Sequence, residues 1–354
     1  MAPPFLAQQT MFSLRQYLNT LEDPFGLTRT LEGFRPVRDA DGRLAYSVGN
    51  TAIIFRIEWH GRPMALRCYL RPHRRLAQIY GERLLPQELF LYETATSGRW
   101  VDVVLTDWVE GEPLDRLITQ AARNHDQTTL KTLSEKFDRL AATLLADDWA
   151  HGDLKPENII YTPSGKLQLI DFDAVFLPEM AGEPAIELGT AAYQHPARNR
   201  YHFNARTDDY SAALISTALA ALALDPALYD RFGSRDGLLI DPKRIPWDEA
   251  YDEIRYLFAS QGLFVRHALA RQLDNFHLSL PDAAALFALL THHEVPSEGR
   301  KVGLYRRENR YGLTLDKRPI TPPLFDEAKR LRNGLAEVKL DDCTHRINLE
   351  GFGL

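Results

Sequence analysis

The stretch from 151 to 176, HGDLKPENIIYTPSGKLQLIDFDAVF, constrains this chain more than any other. It interrupts a region of helical periodicity with two short apolar β runs around Ser164-Gly165, which reads as strand, turn, strand. Asp153, Lys155 and Asn158 fall on the loop before the first run, and Asp171 directly follows the second. Two carboxylates, an amide and an ammonium gathered at the ends of neighbouring strands suit Mg²⁺ and phosphate. Mg²⁺ takes oxygen ligands, and phosphate supplies the countercharge. A carboxylate free of metal orients or deprotonates an attacking hydroxyl. Taken singly, each residue is an ordinary polar turn former; the combination asks for chemistry.

Upstream of this stretch the texture is β. Residues 11–22 (MFSLRQYLNTLE) form an amphipathic helix pattern that Asp23-Pro24-Phe25-Gly26 stops. SVGNTAIIFRIEW and PMALRCYL are strand-like, with His60-Gly61-Arg62-Pro63 as the turn between them. A charged stretch, 71–85, is predicted as a helix. ELFLYET and VDVVLTDWV follow as strands, joined by Ser97-Gly98-Arg99-Trp100. Downstream the period changes to helical. Leu130, Leu133, Phe137, Leu140 and Leu144 define one face of a helix starting near Thr128 or Thr129. Further helices are predicted at 208–224, 247–259, 262–273 and 281–291. The run from Ala212 to Leu224 is apolar all round apart from Ser216 and Thr217, the mark of a helix buried on every side. After Glu298-Gly299 the chain turns to short alternating segments punctuated by Gly and Pro.

Composition narrows the classes. With 354 residues, 45% hydrophobic and 25% charged, wholesale disorder, collagen and coiled coil are excluded. The net charge of −6 argues against a general nucleic-acid or anionic-membrane binder. Cys68 and Cys343 are the only cysteines, which rules out a disulfide framework or a cysteine-rich zinc site. The start, MAPPFLAQQT, lacks a basic region and an apolar core, and the longest apolar run is too short to span a bilayer, so a cytoplasmic location is expected. Of 42 basic residues 33 are Arg, and no Lys precedes Lys131, a compositional bias that leaves the whole first third without an ammonium side chain.

HGDLKPENII and LIDFDAVF resemble the catalytic loop and metal-binding motif of eukaryotic-type protein kinases, and the resemblance extends over about 45–290. It implies an α+β, two-lobe protein kinase-like fold. The small lobe would be an antiparallel sheet plus one helix, the large lobe mainly helical, with a small β appendage after it. The divisions expected are 1–35 for an N-terminal helical extension, 36–107 for the small lobe, 108–298 for the large lobe and 299–354 for the appendage. By the resemblance Asp153 is the catalytic base, Lys155 contacts the γ-phosphate of ATP, and Asn158 and Asp171 bind Mg²⁺. DWVEGEPL (107–114) resembles the hinge. That makes Thr106 the gatekeeper, gives the Asp107 carbonyl and Val109 amide to adenine, and leaves Glu112 or Asp115 to reach the ribose. Ile54, Ala65 and Ile160 would sandwich the adenine ring. Asp208 matches the buried aspartate that supports the catalytic loop, and His151 is expected to pack on Phe172.

The departures from the family pattern bear on activity. SVGNTA keeps Gly49 of the glycine-rich loop but has Ser47 and Ala52 where glycines stand, so backbone approach to phosphate is restricted. MALRC puts Arg67 at the position of the phosphate-gripping lysine, and a guanidinium is larger and differently directed than an ammonium. Its partner carboxylate is assigned to Glu82, with Glu88 as the alternative. Gly152 replaces the usual arginine of the catalytic loop, which excludes control through an activation-loop phosphate grounded there. Asp173 replaces the glycine after Asp171-Phe172, and His195-Pro196-Ala197 lacks the usual glutamate.

The hinge, DFDAVF and ELGTAAYQHPAR together resemble a divergent bacterial branch of kinase-like proteins. RYGLTLDKRPITPPLFDEAKRLRNGLAEVKLDD resembles a WG-repeat unit, with Tyr311-Gly312 for Trp-Gly and HRINLEGFG as a partial second copy keeping Gly351. His292-His293 reads as a helix C-cap, and Arg71, Arg74 and Arg75 as a solvated helix start. Two functions follow. One is an ATP- and Mg²⁺-dependent serine/threonine kinase acting on a protein substrate; the other is an impaired pseudokinase that binds partners. A small-molecule phosphotransferase is the weaker third, because LKPEN and the hinge fit protein kinases better.

Overall fold

The computed structural model describes residues 12–49, 51–234, 237–291, 302–332 and 334–349. His292-His293, Glu298-Gly299 and Gly351 lie outside the described residues. The architecture is mixed α+β, and the chain divides into two compact units, Met1–Val109 and Glu110–Leu354.

The first unit is a six-stranded antiparallel sheet with one helix before it and one within it. Helix α1 (Leu14–Glu22) starts at Ser13, whose hydroxyl caps Gln16 N while the Gln16 side chain returns to Ser13 N, a reciprocal capping box. The strands are β1 (Arg35–Pro36), β2 (Tyr46–Val48), β3 (Ala52–Trp59), β4 (Arg62–Tyr69), β5 (Leu84–Tyr92) and β6 (Gly98–Asp107). They run in the order β1-β3-β4-β6-β5, with β2 also on β3. His60 and Gly61, with φ of 50° and 70°, make the tight two-residue turn between β3 and β4, which leaves Arg62 and Pro63 inside the strand. Side chains alternate across the sheet. Ile53, Phe55, Ile57, Leu66, Cys68, Val103 and Leu105 bury one face against Tyr17 and Leu21 of α1. The helix predicted at 71–85 is much shorter. Helix α2 (Leu76–Tyr80) ends where Gly81 takes φ 53°, a 3₁₀ turn carries Glu82, and β5 has begun by Leu84.

The second unit opens with β7 (Glu112–Pro113) and α3 (Leu114–Arg123), a helix that begins on the last residue of the stretch read as a hinge. Helix α4 (Gln127–Ala146) begins earlier than periodicity indicated, because Asp126 caps Thr129 N. Leu130, Leu133, Phe137 and Leu144 are buried, each contributing about 1.5–3 kcal/mol. Strands β8 (Ile159–Tyr161) and β9 (Leu167–Leu169) form the expected hairpin, and β8 also pairs with β7. Helix α5 (Asp209–Leu224) is buried from Asp209 to Leu222. Its polar Ser216 donates to Asp138 Oδ1 of α4 at 2.6 Å, and Arg266 closes the same group with a fork at 2.5 and 3.1 Å. Helices α6 (Leu228–Phe232), α7 (Glu249–Ser260), α8 (Phe264–Arg271) and α9 (Ala283–Thr291) complete the helical layer. Among the described residues no helix is long and apolar enough to cross a membrane.

Two three-stranded antiparallel meanders follow. They are β10 (Val302–Arg307), β11 (Arg310–Leu315) and β12 (Arg318–Pro319), then β13 (Glu327–Arg330), β14 (Leu335–Leu340) and β15 (Cys343–Asn348). Glycine is obligatory at Gly312, where a Cβ would lie 2.4 Å from the Tyr305 ring. The meanders share one hydrophobic core with the helices, through Leu313, Leu324, Phe325, Val338 and Leu340. Asp341, at the β14–β15 turn, is the polar hub of this contact. It meets His267 at 2.9 Å, Arg271 at 3.2 Å and Arg255 at 3.3 Å. The hydrogen bond from His267 holds its carboxyl down at about 2 against opposing burial, with the charges of His267, Arg255 and Arg271 adding to the effect.

Asp341→Asn should therefore cost about 2–3 kcal/mol, less than breaking a fully buried pair, and lower the Tm by about 5–10 °C. The folded carboxyl titrates below its unfolded value, so its stabilisation is complete above pH about 4 and vanishes as pH falls towards 2. Thermal melts at pH 7 and pH 3 check this: the gap between the two proteins should narrow at pH 3.

Candidate catalytic site

The loop before β8 is held by a buried acid. Asp208, just ahead of α5, is fully buried and accepts from the amides of His151 (2.5 Å) and Gly152 (2.9 Å). Burial pushes its carboxyl upward, and His151 and the two amides oppose that push. His151 Nε2 lies 2.8 Å from the Ile170 carbonyl, and its ring packs on Phe172 at 5.2 Å, as expected. Gly152 has φ 82°, and a Cβ there would sit 2.0 Å from the Ala174 carbonyl oxygen. Both the conformation and the space exclude a side chain at this position.

With the turn fixed, Asp153, Lys155 and Asn158 converge. Lys155 Nζ is 3.0 Å from Asp153 Oδ2, and Asn158 Nδ2 donates to the Asp153 carbonyl at 2.9 Å and to Oδ2 at 3.3 Å. Asn158 is buried, and its Oδ1 takes no hydrogen bond from the described residues, which leaves a carbonyl oxygen as the ligand atom it presents. Asp153 Oδ1 accepts from Thr190 N at 2.6 Å, and Lys155 Nζ donates to Thr190 Oγ1 at 2.8 Å. Partial burial raises the Asp153 carboxyl, but the Lys155 ammonium and the Thr190 donors outweigh it and hold the group below the ordinary carboxylate range. The result is an ionised carboxylate beside a cation, anchored on three sides. Asp171 follows Ile170, whose amide donates to the Asn158 carbonyl at 2.9 Å, so both metal-ligand candidates lie in directly bonded chain segments. Asp171 has φ 66°, a left-handed conformation that Asp tolerates better than most residues.

Other candidates in this unit lie around β8. Ile160 is buried opposite Pro113, and Glu112 is exposed opposite Tyr161. Gly111 permits that approach, since its Cβ would meet the Tyr161 carbonyl oxygen at 2.2 Å. Asp115 is in the first turn of α3. In the first unit, register brings Ile54, Ala65, Arg67 and Thr106 onto one face of the sheet, opposite the core. Arg67 faces Ile54 and Val104, and Ala65 faces Thr106. Gly49 closes the turn into β3 through a 2.8 Å bond to the Ala52 carbonyl. Asp107 pairs with Arg62 at 2.9 Å at the exposed end of β6, shortly before Val109. Glu82 is exposed in its 3₁₀ turn. Glu88 is committed elsewhere: its buried carboxylate accepts from the amides of Arg29, Thr30 and Leu31 and from the Thr30 hydroxyl.

The contacts of Thr190 with Asp153 and Lys155, and of Gly111 with Tyr161, were not foreseen from the sequence. A glycine followed by a small hydroxyl residue (Gly189-Thr190) was the available signal for the first. The glycine between Glu110 and Glu112 was the signal for the second.

No protein-family model matches the chain. A stretch of 71 residues, 19% of the chain, is 37% identical to the CBL-interacting protein kinase 16 of Oryza sativa subsp. japonica. The chain spans 16% of that relative's length. The match supports a kinase-like relation over that stretch.

Gly152→Ala combines strain with a clash and should lower stability by about 3 kcal/mol or more. Gly182→Ala, at φ 85° with open space around it, should lose only the left-handed penalty of about 1–2 kcal/mol. Urea melts of the two variants check the difference. Asp209, beside Asp208, is raised to about 7 by burial, with Asp208 adding to the rise and Arg206 and the Leu280 amide opposing it. Its Oδ1 is buried without a partner. The folded group binds its proton more tightly than the unfolded one, so its contribution is complete below pH about 4 and is lost as pH rises through 7. Asp209→Asn should accordingly match wild type near pH 4 and exceed it by about 1–3 kcal/mol at pH 8.

Proposed function

We propose that the chain is a two-lobe protein kinase-like phosphotransferase that binds ATP with Mg²⁺ and transfers the γ-phosphate to a serine or threonine of a protein. The observation that carries this reading is the Asp153–Lys155–Asn158 cluster, in which an ionised carboxylate and an ammonium are locked 3.0 Å apart. Asp153 would accept the hydrogen bond of an incoming hydroxyl and take its proton as the oxygen attacks. Lys155 stands to stabilise the charge on the transferring group. The donor set fits a divalent cation, since Asn158 offers a carbonyl oxygen and Asp171 a carboxylate, both hard oxygen ligands. Mg²⁺ held there would neutralise phosphate charge. In the first unit, the shared face of Ile54, Ala65, Arg67 and Thr106 suits an adenine ring with a cation beside it. In this reading Asp107 and Val109 give backbone bonds to adenine, and Arg67 performs a weakened form of the lysine role, with Glu82 the assigned partner.

Within the same reading the chain belongs to a divergent bacterial branch, acts in the cytoplasm, and carries the strands from Val302 to Asn348 as WG-repeat-like units. The pseudokinase reading draws on Arg67 and the glycine-poor loop around Gly49. The anchored catalytic cluster favours transfer, because a scaffold has no physical need to hold Asp153 on three sides.

The test is binding and transfer together. Mg-ATP should raise the Tm of the wild type, and autophosphorylation should fall at least about 100-fold in Asp153→Asn while the Tm shift with Mg-ATP persists. Arg67→Lys should raise the transfer rate by about 10-fold. Absence of any Mg-ATP shift would sink the proposal, and ATP binding with transfer unaffected by Asp153→Asn would favour the pseudokinase.

A further inference from the structure

Gly152, the residue before Asp153, is gripped at both ends, by an acid on its amide and a guanidinium on its carbonyl. Asp208 accepts the Gly152 amide at 2.9 Å, and Arg198 Nη1 donates to the Gly152 carbonyl at 3.0 Å. The two grips come from chain segments on either side of the loop at 199–207, and neither acid nor guanidinium touches the Asp153 carboxylate through a hydrogen bond. We propose that Arg198 is a positioning residue that fixes the backbone at Gly152 and so aims the Asp153 carboxylate.

Gly152 gains no conformational restraint from a side chain, and its φ of 82° is a region that glycine leaves as readily as it enters. A turn of that kind needs outside anchors to hold one geometry. Asp208 supplies the first, on the amide side. The carbonyl of Gly152 begins the peptide plane that leads into Asp153, so the grip on that oxygen sets the direction of the carboxylate. Gly189 packs against the same place: a Cβ on it would lie 2.7 Å from the Gly152 carbonyl oxygen and 2.8 Å from Asp153 Oδ1. The oxygen is therefore enclosed, and a single charge-assisted donor reaches it.

Arg198 is itself steered. Its Nη1 also makes a short hydrogen bond to Gln194 Oε1, and Gln194 is buried. Burial pulls the guanidinium downward while Asp208 and Asp153 oppose that pull. The Nε and Nη2 donors of Arg198 are buried without partners. A buried guanidinium that leaves two nitrogens unmatched is a poor stabiliser of the fold, so its worth lies in the one oxygen it holds. Position 152 has no room for a side chain, and a cation arrives from 198 without any added phosphate. The turn is thus restrained in the unmodified chain.

The catalytic consequence rests on the phosphotransfer reading above; the restraint does not. Arg198→Met keeps the length and removes the donor, and Arg198→Lys restores one. In Arg198→Met, hydrogen–deuterium exchange at the 151–155 amides should accelerate at least about 10-fold, with α4 and α5 unchanged and Tm within about 3 °C. With Mg-ATP and casein as acceptor, kcat should fall about 10–100-fold while KM for ATP stays within about twofold, and Arg198→Lys should recover most of the loss. Unchanged exchange at 151–155 overturns the proposal, as does acceleration spread over the whole unit with a matching fall in Tm. A loss of kcat that lysine leaves unrepaired, or that KM for ATP follows, overturns it too. If the wild type transfers no phosphate, the functional reading fails, and the exchange measurement alone decides whether Arg198 restrains the turn.

Discussion

The carboxylate of Asp208 is the support on which the candidate site stands. An intramolecular hydrogen bond is worth about 0.5–1.5 kcal/mol net, and Asp208 accepts from two consecutive amides. Those bonds convert the rigidity of α5, buried from Asp209 to Leu222, into rigidity of the turn at His151-Gly152. His151 extends the support to the end of β9, and the Gly152 backbone rests against Ala174. A loop that would otherwise be mobile is tied to a helix, a strand end and a neighbouring segment. Local order costs conformational entropy, and here the hydrogen bonds to a buried acid at the start of α5 offset it.

Arginine recurs wherever this second unit must join distant elements. Arg266 forks onto Asp138 between α8 and α4, Arg255 and Arg271 converge on Asp341, and Arg198 reaches Gly152. A planar guanidinium presents several donors at fixed angles, which an ammonium cannot do. The excess of Arg over Lys, read from composition alone as bias, is also a structural resource in these places. Lys155 is the informative exception, a compact charge placed where two oxygens, from Asp153 and Thr190, lie within 3.0 Å.

How much of this was legible in the chain depends on the range of each interaction. Helices α4 and α5, the β3–β4 hairpin and the β8–β9 hairpin follow from periodicity and turn residues, because those signals are local. Helix α2 was overestimated: the charged stretch looked helical, but Gly81 in a left-handed conformation and the start of β5 cut it short. Helix α3 went unread: it starts at Leu114, where the stretch taken as a hinge ends, and its buried face is no more than Leu114, Ile118, Ala121 and Ala122. Asp153, Lys155 and Asn158 were legible because six consecutive residues carry all three. Thr190 and Arg198 were not, since they come from more than thirty residues downstream and no pattern of spacing announces a contact at that range. The common face of Ile54, Ala65, Arg67 and Thr106 lies between these cases: alternation gives the face of each strand, and register is needed to join them.

The shared core of helices and meanders has a consequence for how the second unit is made. Phe325 meets Phe264 edge-on at 5.2 Å, and Leu340 and Val338 belong to the same cluster as α5 and α8. During synthesis Phe264 of α8 emerges well before Phe325, the ring it packs against, and His267 before Asp341, its ion-pair partner. Contacts of such separation form late and slowly, and the incomplete core meanwhile invites association with other chains. The apolar surface of α8 that faces these strands therefore stays uncovered until the strands through β15 are free to dock.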